Sequence, residues 1–584
     1  MGRSPSRAPA LLLGALLLPT ARAGGLEPVT DAMLRNPDPA DWLMFRRTYD
    51  DWGYSPLDEI DRTNVARLEL AWSRDLNDAS SQEGTPLVRA GVMYFPEPMD
   101  VVTAMNAATG ETLWQYRRKL PEDVGRYVPN PQTNRNLAVY GTLVIDAGSD
   151  DFIYALDAET GRLVWETKIV DYKTHPAKQG SGPLVVNGKL VSGRNCMPQG
   201  GPEACVITAH DARSGKELWR LHTIPRPEDP HGDSWGGVPY EQRWHVGAWM
   251  VPSYDPALGL VYMGTSVTAP APKFMLAGND KTYLYHNSTL AIDPDDGKIV
   301  WYYQHLVDHW DLDHTFERML VDTAVAPDPA EVPWINPGLK PKERRRVVTG
   351  IPGKTGIVYT LDRETGEFLW ARPTVEQNVV ASIDGATGKV VENEAMHFTA
   401  AGQTRFVCPT TNGGKNWPAG AYSPRTKAMY FPLANTCMST TSVADKPKPE
   451  LIYAIDSETV VAPGAAGVGT LRAIDVETGR TRWRYDERAG LMSLVATGGD
   501  LLFGGDVAGK FRAYDAETGK VLWETDLGSP VTGFPITFAA AGRQYVAVST
   551  GRSNLTGALA RLTPDARAAG DGAKLFVFAL PAAK

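Results

Sequence analysis

The sequence predicts an all-β chain folded as an eight-bladed β-propeller with four-stranded antiparallel blades. Three observations predict it: an excess of turn-forming residues, a phrase ending in tryptophan that recurs along the chain, and the spacing of those tryptophans. Glycine and proline number 56 and 44 in 584 residues, about 17% against roughly 12% in ordinary usage, which suits many short strands and tight turns. The phrase reads Ala-x-Asp, a small turn with Thr-Gly or an equivalent, then two or three residues ending in Trp. Copies run from Ala104 to Trp114, Ala155 to Trp165, Ala209 to Trp219, Ala291 to Trp301, Leu361 to Trp370, Ala473 to Trp483 and Ala513 to Trp523. Trp72, in Leu-Glu-Leu-Ala-Trp, carries the terminal half of the phrase. Successive tryptophans stand 42, 51, 54, 82, 69, 113 and 40 residues apart. The shortest gaps match one blade, and the longer ones hold insertions.

In chain order, residues 1–23 come first: Arg3 and Arg7, an apolar run from Ala8 to Leu18, and Ala21-Arg22-Ala23 read as an export signal. Residues 24–584 are then one propeller domain. In each phrase the aspartate and Thr-Gly close a strand-to-strand turn, glycine taking a backbone angle that a Cβ resists. The tryptophan enters the next strand and fills the space between neighbouring blades. The start of the exported chain and the terminal strand from Ala573 are expected to meet, because a circular fold with free ends exposes an edge. The 113-residue gap, with Tyr430-Phe431-Pro432 and Leu451 to Asp456, is expected to hold loops and an irregular piece of blade.

Charge and cysteines narrow the partners. The net charge of −9, or −12 once the three arginines of the signal are gone, repels nucleic acid and anionic lipid. The basic run Lys340 to Arg346 reads as a solvated loop entering a strand. No later stretch is apolar enough to span a membrane, and no Cys-x-x-Cys-His is present to attach haem. A soluble periplasmic protein is the expectation. The four cysteines fall into two pairs, Cys196 with Cys205 and Cys408 with Cys437. Export permits a bridge within each pair, with free thiols or a metal site as the alternatives.

Chemistry is sought in the long gaps, because propellers place function at the axial channel or on top-face loops. Asp311 and Asp313 stand at i,i+2, on one face if extended, where two like charges favour a bound cation or a raised pKa; loop carboxylates bonded to backbone amides are the plainer reading. Several motifs in chain order accompany them: Glu83-Gly-Thr-Pro, Asn134-Arg135-Asn136, Trp249 five residues before Tyr254-Asp-Pro, Trp310-Asp311, Gly353-Lys354-Thr-Gly-Ile and Gly413-Gly-Lys-Asn416-Trp417.

With the tryptophan phrases, these motifs make the chain resemble the quinoprotein alcohol dehydrogenases over Trp42 to Phe578. The resemblance implies an exported eight-bladed propeller holding pyrroloquinoline quinone and a Ca²⁺ or lanthanide ion in its axial cavity. It implies quinone contacts from Glu83, Arg135, Lys354 and Asn416, a stacking floor at Trp249, and Asp311 as the base that takes the alcohol's hydroxyl proton. Metal ligands carried over are Asp311, Asp313, which matches the extra aspartate of lanthanide-using members, and Glu203 or Gln199 for the glutamate. The separation of Cys408 and Cys437 resembles a structural disulfide of the family.

The chain departs from the pattern at four places. It lacks the adjacent cysteine pair, Gly247 replaces a threonine, Val267 replaces a metal-binding asparagine, and Leu312 stands where an aromatic is expected. The expected activity is oxidation of an alcohol to an aldehyde or ketone, with electrons leaving to a soluble cytochrome c or similar acceptor. A non-catalytic exported scaffold is the alternative, and a cation-dependent hydrolase a third reading.

Overall fold

The computed structural model describes residues 26–178, 180–448 and 450–582; the expected signal at 1–23 lies outside them. Among the described residues the chain is almost wholly strand and turn, its longest helix, Asn554–Leu562, having nine residues. No helix among the described residues is long and apolar enough to cross a membrane.

Every tryptophan of the repeat lies in its own antiparallel sheet. The Trp114 sheet is typical: Leu87–Arg89, Val92–Glu97, Val101–Asn106 and Thr112–Arg117 pair in sequence order. Its first three strands are almost entirely buried, while the last alternates between exposed and half-buried residues. The Trp165, Trp219, Trp301 and Trp483 sheets repeat this meander. The Trp370 sheet gains a fifth strand, Trp334–Ile335, and the Trp523 sheet gains Tyr54–Ser55, which pairs in parallel with Leu491–Thr497. In the eighth sheet Glu69–Asp75, which carries Trp72, pairs with the terminal strand Lys574–Ala579. The chain ends therefore meet as expected, but the partner is the Trp72 strand and not the first exported residues.

Why the phrase recurs is visible at its turns. In the second copy, Asp157 Oδ1 accepts from the Thr160 amide at 2.9 Å and the Thr160 hydroxyl at 2.7 Å, and the Gly161 amide donates to the Asp157 carbonyl at 2.8 Å. Gly161 has φ +71°, and a Cβ placed on it would lie 2.5 Å from the Trp114 ring. Gly110, Gly215, Gly297, Gly366 and Gly519 meet Trp72, Trp165, Trp219, Trp301 and Trp483 in the same way, and Gly479 meets Trp370. The turn glycine thus does more than accept a left-handed angle: it is the seat for the tryptophan of the preceding sheet. Several indoles also donate to the receiving turn, as Trp114 does to the Ala158 carbonyl at 3.0 Å and Trp483 to Ala516 at 3.0 Å. Trp523 returns the series to its start, donating to the carbonyl of Leu68, which opens the Trp72 strand, at 3.2 Å.

The N-terminal segment crosses the inner strands. Tyr49 donates to Val185, Trp52 to Leu320, and Arg46 to both Gly420 and Leu494, at 2.6–2.8 Å. The longest gap is more regular than the sequence suggested. Tyr430-Phe431-Pro432 lies within a full strand, Ala428–Ala434, of the Trp483 sheet. The rest includes a separate three-stranded sheet, Thr404–Val407, Thr436–Ser442 and Ile455–Val461, and a two-stranded one, Val380–Ile383 with Val390–Glu392. Both cysteine pairs are bridged, Cys196 to Cys205 and Cys408 to Cys437. The basic run leads into the strand Glu343–Gly350, where Arg345 pairs with Glu367.

The seat has a measurable cost. Gly161→Ala is expected to lower stability by about 2–4 kcal/mol, combining a left-handed Cβ with a clash. Gly542→Ala, at φ +76° with nothing within 4 Å, is expected to lose only about 1 kcal/mol. Denaturant midpoints compare the two, and equal losses would remove the indole contact as the cause.

Candidate functional site

After the last strand of the Trp301 sheet, Ile299–Gln304, the chain runs into a buried stretch from Asp308 to His314. The Asp308 carboxylate accepts the amides of Trp310, at 2.7 Å, and Leu312. This curls the backbone and holds Asp311 at φ +78°. The stretch is not extended, so the two aspartates do not share a strand face. They converge instead on Lys354, whose Nζ lies 2.9 Å from Asp311 Oδ1, 3.1 Å from the Asp311 carbonyl and 3.3 Å from Asp313 Oδ2. The Lys354 amide also donates to the Asp313 carbonyl at 2.8 Å.

These charges titrate unequally. Burial pushes the Asp311 carboxyl well above the usual range, an effect Lys354 opposes and the neighbouring Asp313 reinforces. At Asp313 burial acts the same way, but Lys354 and the Val267 amide, 3.0 Å from Oδ1, outweigh it and hold the carboxyl low. Lys354 is raised, because its two aspartates overcome its burial. Asp311 is therefore the stronger base of the pair.

A second cluster lies along Trp249. Arg135 pairs with Glu83 at 2.6 Å and donates to the Gly180 carbonyl at 2.9 Å. Its guanidinium lies 5.2 Å from the Trp249 ring centre and 5.8 Å from that of Trp417. Trp249 meets Phe316 edge-on at 5.6 Å, and on Phe316 rests Lys415, which is fully buried in an ion pair with Glu317 at 2.8 Å. Lys178 donates to Thr133 Oγ1 at 3.0 Å. Burial, and after it repulsion from Arg135, depress its ammonium to about 7.

The structure brings Glu83, Arg135 and Trp249 together, and Lys354 together with Asp311 and Asp313. Asn416 belongs to the loop beneath them, but its side chain serves that loop: Nδ2 donates to the Asn412 carbonyl at 2.9 Å and Oδ1 accepts the Trp417 amide at 2.7 Å. Glu203 is not brought to the aspartates. The Cys196–Cys205 bridge folds its loop into two short turns, Pro198–Gly200 and Pro202–Ala204, and Glu203 meets Tyr240 at 3.1 Å and Arg226 at 3.3 Å. Its side chain is 44% exposed. An 870 Å³ groove near that loop, lined by His222, Arg226, His231 and Tyr302, shares no residue with either cluster. Lys178 and Asn195 were missed, and no local motif marks them.

The clusters suit a flat anion. Arg135 and Lys178 supply positive charge beside a tryptophan face, and the buried Arg135 Nε, Thr85 Oγ1 and Asn136 Oδ1 have no hydrogen-bond partner. A planar quinone with carboxylates would accept from Arg135 Nε and the Thr85 hydroxyl and face the tryptophan. For a cation, Asp311 and Asp313 offer the hard oxygen donors that Ca²⁺ and lanthanides take, although no group of three or more acidic, histidine or cysteine side chains able to hold a metal occurs among the described residues. Asn195 offers one more oxygen: its Oδ1 is buried without a partner. It lies 3.0 Å from where a Cβ on Gly247 would stand, and Gly247 bonds Ser266, the neighbour of Val267.

Comparison with known proteins agrees with this chemistry. The family described as glucose/ethanol/alcohol dehydrogenase, beta-propeller domain, matches residues 42–391, and that of the outer membrane protein assembly factor BamB matches residues 467–561. The dehydrogenase subunit of the quinone alcohol dehydrogenase of Komagataeibacter europaeus is 32% identical over 88% of this chain and 72% of its own length. Quinohemoprotein alcohol dehydrogenase ADH IIB of Pseudomonas putida is 31% identical over 97% and 81%. Among solved structures, a europium-containing methanol dehydrogenase superposes with a TM-score of 0.83 at 27% identity, covering 94% of this chain and 99% of that one. The chain belongs to the PQQ-dependent glucose and alcohol dehydrogenase β-propeller family.

Proposed function

We propose that the chain is an exported, periplasmic alcohol dehydrogenase whose eight sheets are the blades of one closed propeller within residues 24–584. The observation that carries the activity is Asp311, a buried carboxylate tied to a lysine, in a site that also presents an aromatic floor with Arg135 over it. The series of tryptophan contacts that returns to the Trp72 strand supports the closed ring.

In this reading Trp249 and Arg135 seat the pyrroloquinoline quinone, with Glu83 fixing the arginine and Lys178 adding charge. Asp311 and Asp313 would hold a Ca²⁺ or lanthanide ion. When bound, the quinone supplies the acceptor for the hydride that leaves the alcohol carbon, giving an aldehyde or ketone. Asp311 receives the hydroxyl proton on its carboxylate. Lys354 steadies that carboxylate and stays protonated throughout, because it faces two acids. Asp313, held low, keeps its negative charge and prevents Lys354 from neutralising Asp311 alone. Electrons pass on to a soluble cytochrome c or similar acceptor. The scaffold alternative draws on the BamB match at residues 467–561, and a protein that binds no quinone would favour it.

Asp311→Asn is expected to reduce quinone-dependent turnover of primary alcohols by about 10²–10⁴-fold, the usual share of a general base. Quinone binding, read from tryptophan fluorescence, should persist. Full activity in that variant removes Asp311 from the role.

Lys178 predicts a pH dependence. In the free protein its ammonium loses its proton near pH 7, whereas a bound tricarboxylate favours the charged form. Binding therefore draws in a proton above that pH, and quinone affinity should be flat below about pH 6 and weaken by up to about tenfold per unit above 7. Lys178→Met should abolish the fall. Identical profiles for the two proteins would contradict it.

A further inference from the structure

A strand of only two residues ties the lysine of the quinone seat to its aromatic floor. Asn195–Cys196 pairs antiparallel with Ala177–Lys178, Asn195 opposite Lys178 and Cys196 opposite Ala177, and just beyond it the Met197 amide donates to the Pro176 carbonyl at 3.0 Å. On its other side the Arg194 carbonyl accepts the Ala248 amide, one residue before Trp249, at 2.7 Å. The backbones approach there so closely that a Cβ on Gly247 would stand 3.0 Å from the Asn195 Cα. The Cys196–Cys205 bridge closes this arrangement into a ring. The Cys205 carbonyl accepts the Thr223 amide at 3.0 Å and the Thr223 hydroxyl at 3.1 Å, and that hydroxyl also lies against the carbonyl of Val246, next to Gly247. From Cys196 the path runs through the disulfide to Cys205, through Thr223 to Val246 and Ala248, and back through Arg194 to the strand.

We propose that the Cys196–Cys205 disulfide is a positioning element for the quinone seat, fixing the strand Asn195–Cys196 so that Lys178 is held at a set distance from Trp249. The inference rests on the quinone-dependent reading above. Two strands of two residues make too few hydrogen bonds to stay paired unaided. The loop between the cysteines adds only the short turns Pro198–Gly200 and Pro202–Ala204. The covalent link removes the freedom that lets such a strand slide or part from its neighbours. A shift of the strand carries the Lys178 backbone with it, and with it the ammonium that now donates to Thr133 at 3.0 Å. An ion pair weakens with distance, so a displaced ammonium contributes less to holding an anion against the Trp249 ring. Both cysteines are fully buried, which shields the bridge in the folded protein.

The test uses the full chain and reads pyrroloquinoline quinone affinity from tryptophan fluorescence at pH 6, below the point near 7 where Lys178 loses its proton. Cys196→Ala combined with Cys205→Ala is expected to lower the affinity about tenfold or more, as loss of preorganisation does. Lys178→Met alone should lower it as well, and in that background loss of the bridge should cost less than about twofold, because the bridge acts through Lys178. Gly161→Ala, destabilised at a turn that shares no residue with the seat, should bind within about twofold of the parent, which separates placement from general loosening. Where the paired alanine protein fails to fold, the intact protein is equilibrated anaerobically with excess dithiol. The S–S bond takes two electrons and two protons from the dithiol, which closes to its own disulfide, and the quinone becomes its quinol in the same way with its carboxylates unchanged. Saturating cofactor should then shift the Cys196–Cys205 equilibrium toward the bridged form by about tenfold or more, read by thiol labelling, since binding and bridging are linked. Parental affinity in the alanine pair, full additivity with Lys178→Met, or a bridge whose reduction ignores the cofactor overturns the inference and leaves the dehydrogenase reading intact. A parent protein that binds no quinone defeats both.

Discussion

The molecule depends on one contact made repeatedly: an indole seated on a glycine turn of the next sheet. A four-stranded sheet of this size cannot bury both faces, and seven of the eight tryptophans cover a neighbour's turn at a glycine where any side chain would collide. The contact sets the spacing between sheets, because the indole fills the gap, and in several sheets its N–H finds a carbonyl in the same turn. These contacts link neighbouring sheets, whose first strands are mostly buried. Asp311 and Lys354 come from loops attached to the Trp301 and Trp370 sheets, so their meeting follows from that spacing.

Much of the charge buried near the site is matched. Lys415 with Glu317, Arg135 with Glu83, and Lys354 with two aspartates each place opposite signs within hydrogen-bonding reach, as the cost of desolvating an isolated ion requires. Arg46, which enters from the N-terminal segment, satisfies two backbone carbonyls instead. The departures from this balance are the informative places. Lys178 has a neighbouring arginine and a hydroxyl but no acid of its own, and Asp311 shares its only ammonium with Asp313.

The repeat was legible in the sequence because everything that makes it is local: aspartate, Thr-Gly and tryptophan lie within a dozen residues and perform their turn chemistry within that span. What the glycine does for the preceding sheet was not legible, since the indole it receives is some forty or more residues away. Asp311, Lys354, Arg135 and Trp249 were nominated through the order of their motifs, and none stood out from its own surroundings; the structure brings Lys354 to Asp311 and Arg135 to Trp249. Lys178 carries no motif, and it draws notice only from what the fold places opposite it. Glu203 was misread because spacing along the chain does not reveal that a disulfide-closed loop turns it outward. The expectation that Asp311 and Asp313 share an extended face also failed, although both reach the same lysine by way of a left-handed turn set by Asp308.

The pairing of Glu69–Asp75 with Lys574–Ala579 bears on biogenesis. The Trp72 strand is synthesised early, and its sheet lacks a central member until nearly all of the polypeptide has emerged. Seven sheets can assemble in order as translation proceeds, but the eighth waits for the last residues. Vectorial assembly therefore leaves a gap beside an unpaired strand until Lys574–Ala579 arrives, so a nascent chain passes much of its synthesis short of its locked state.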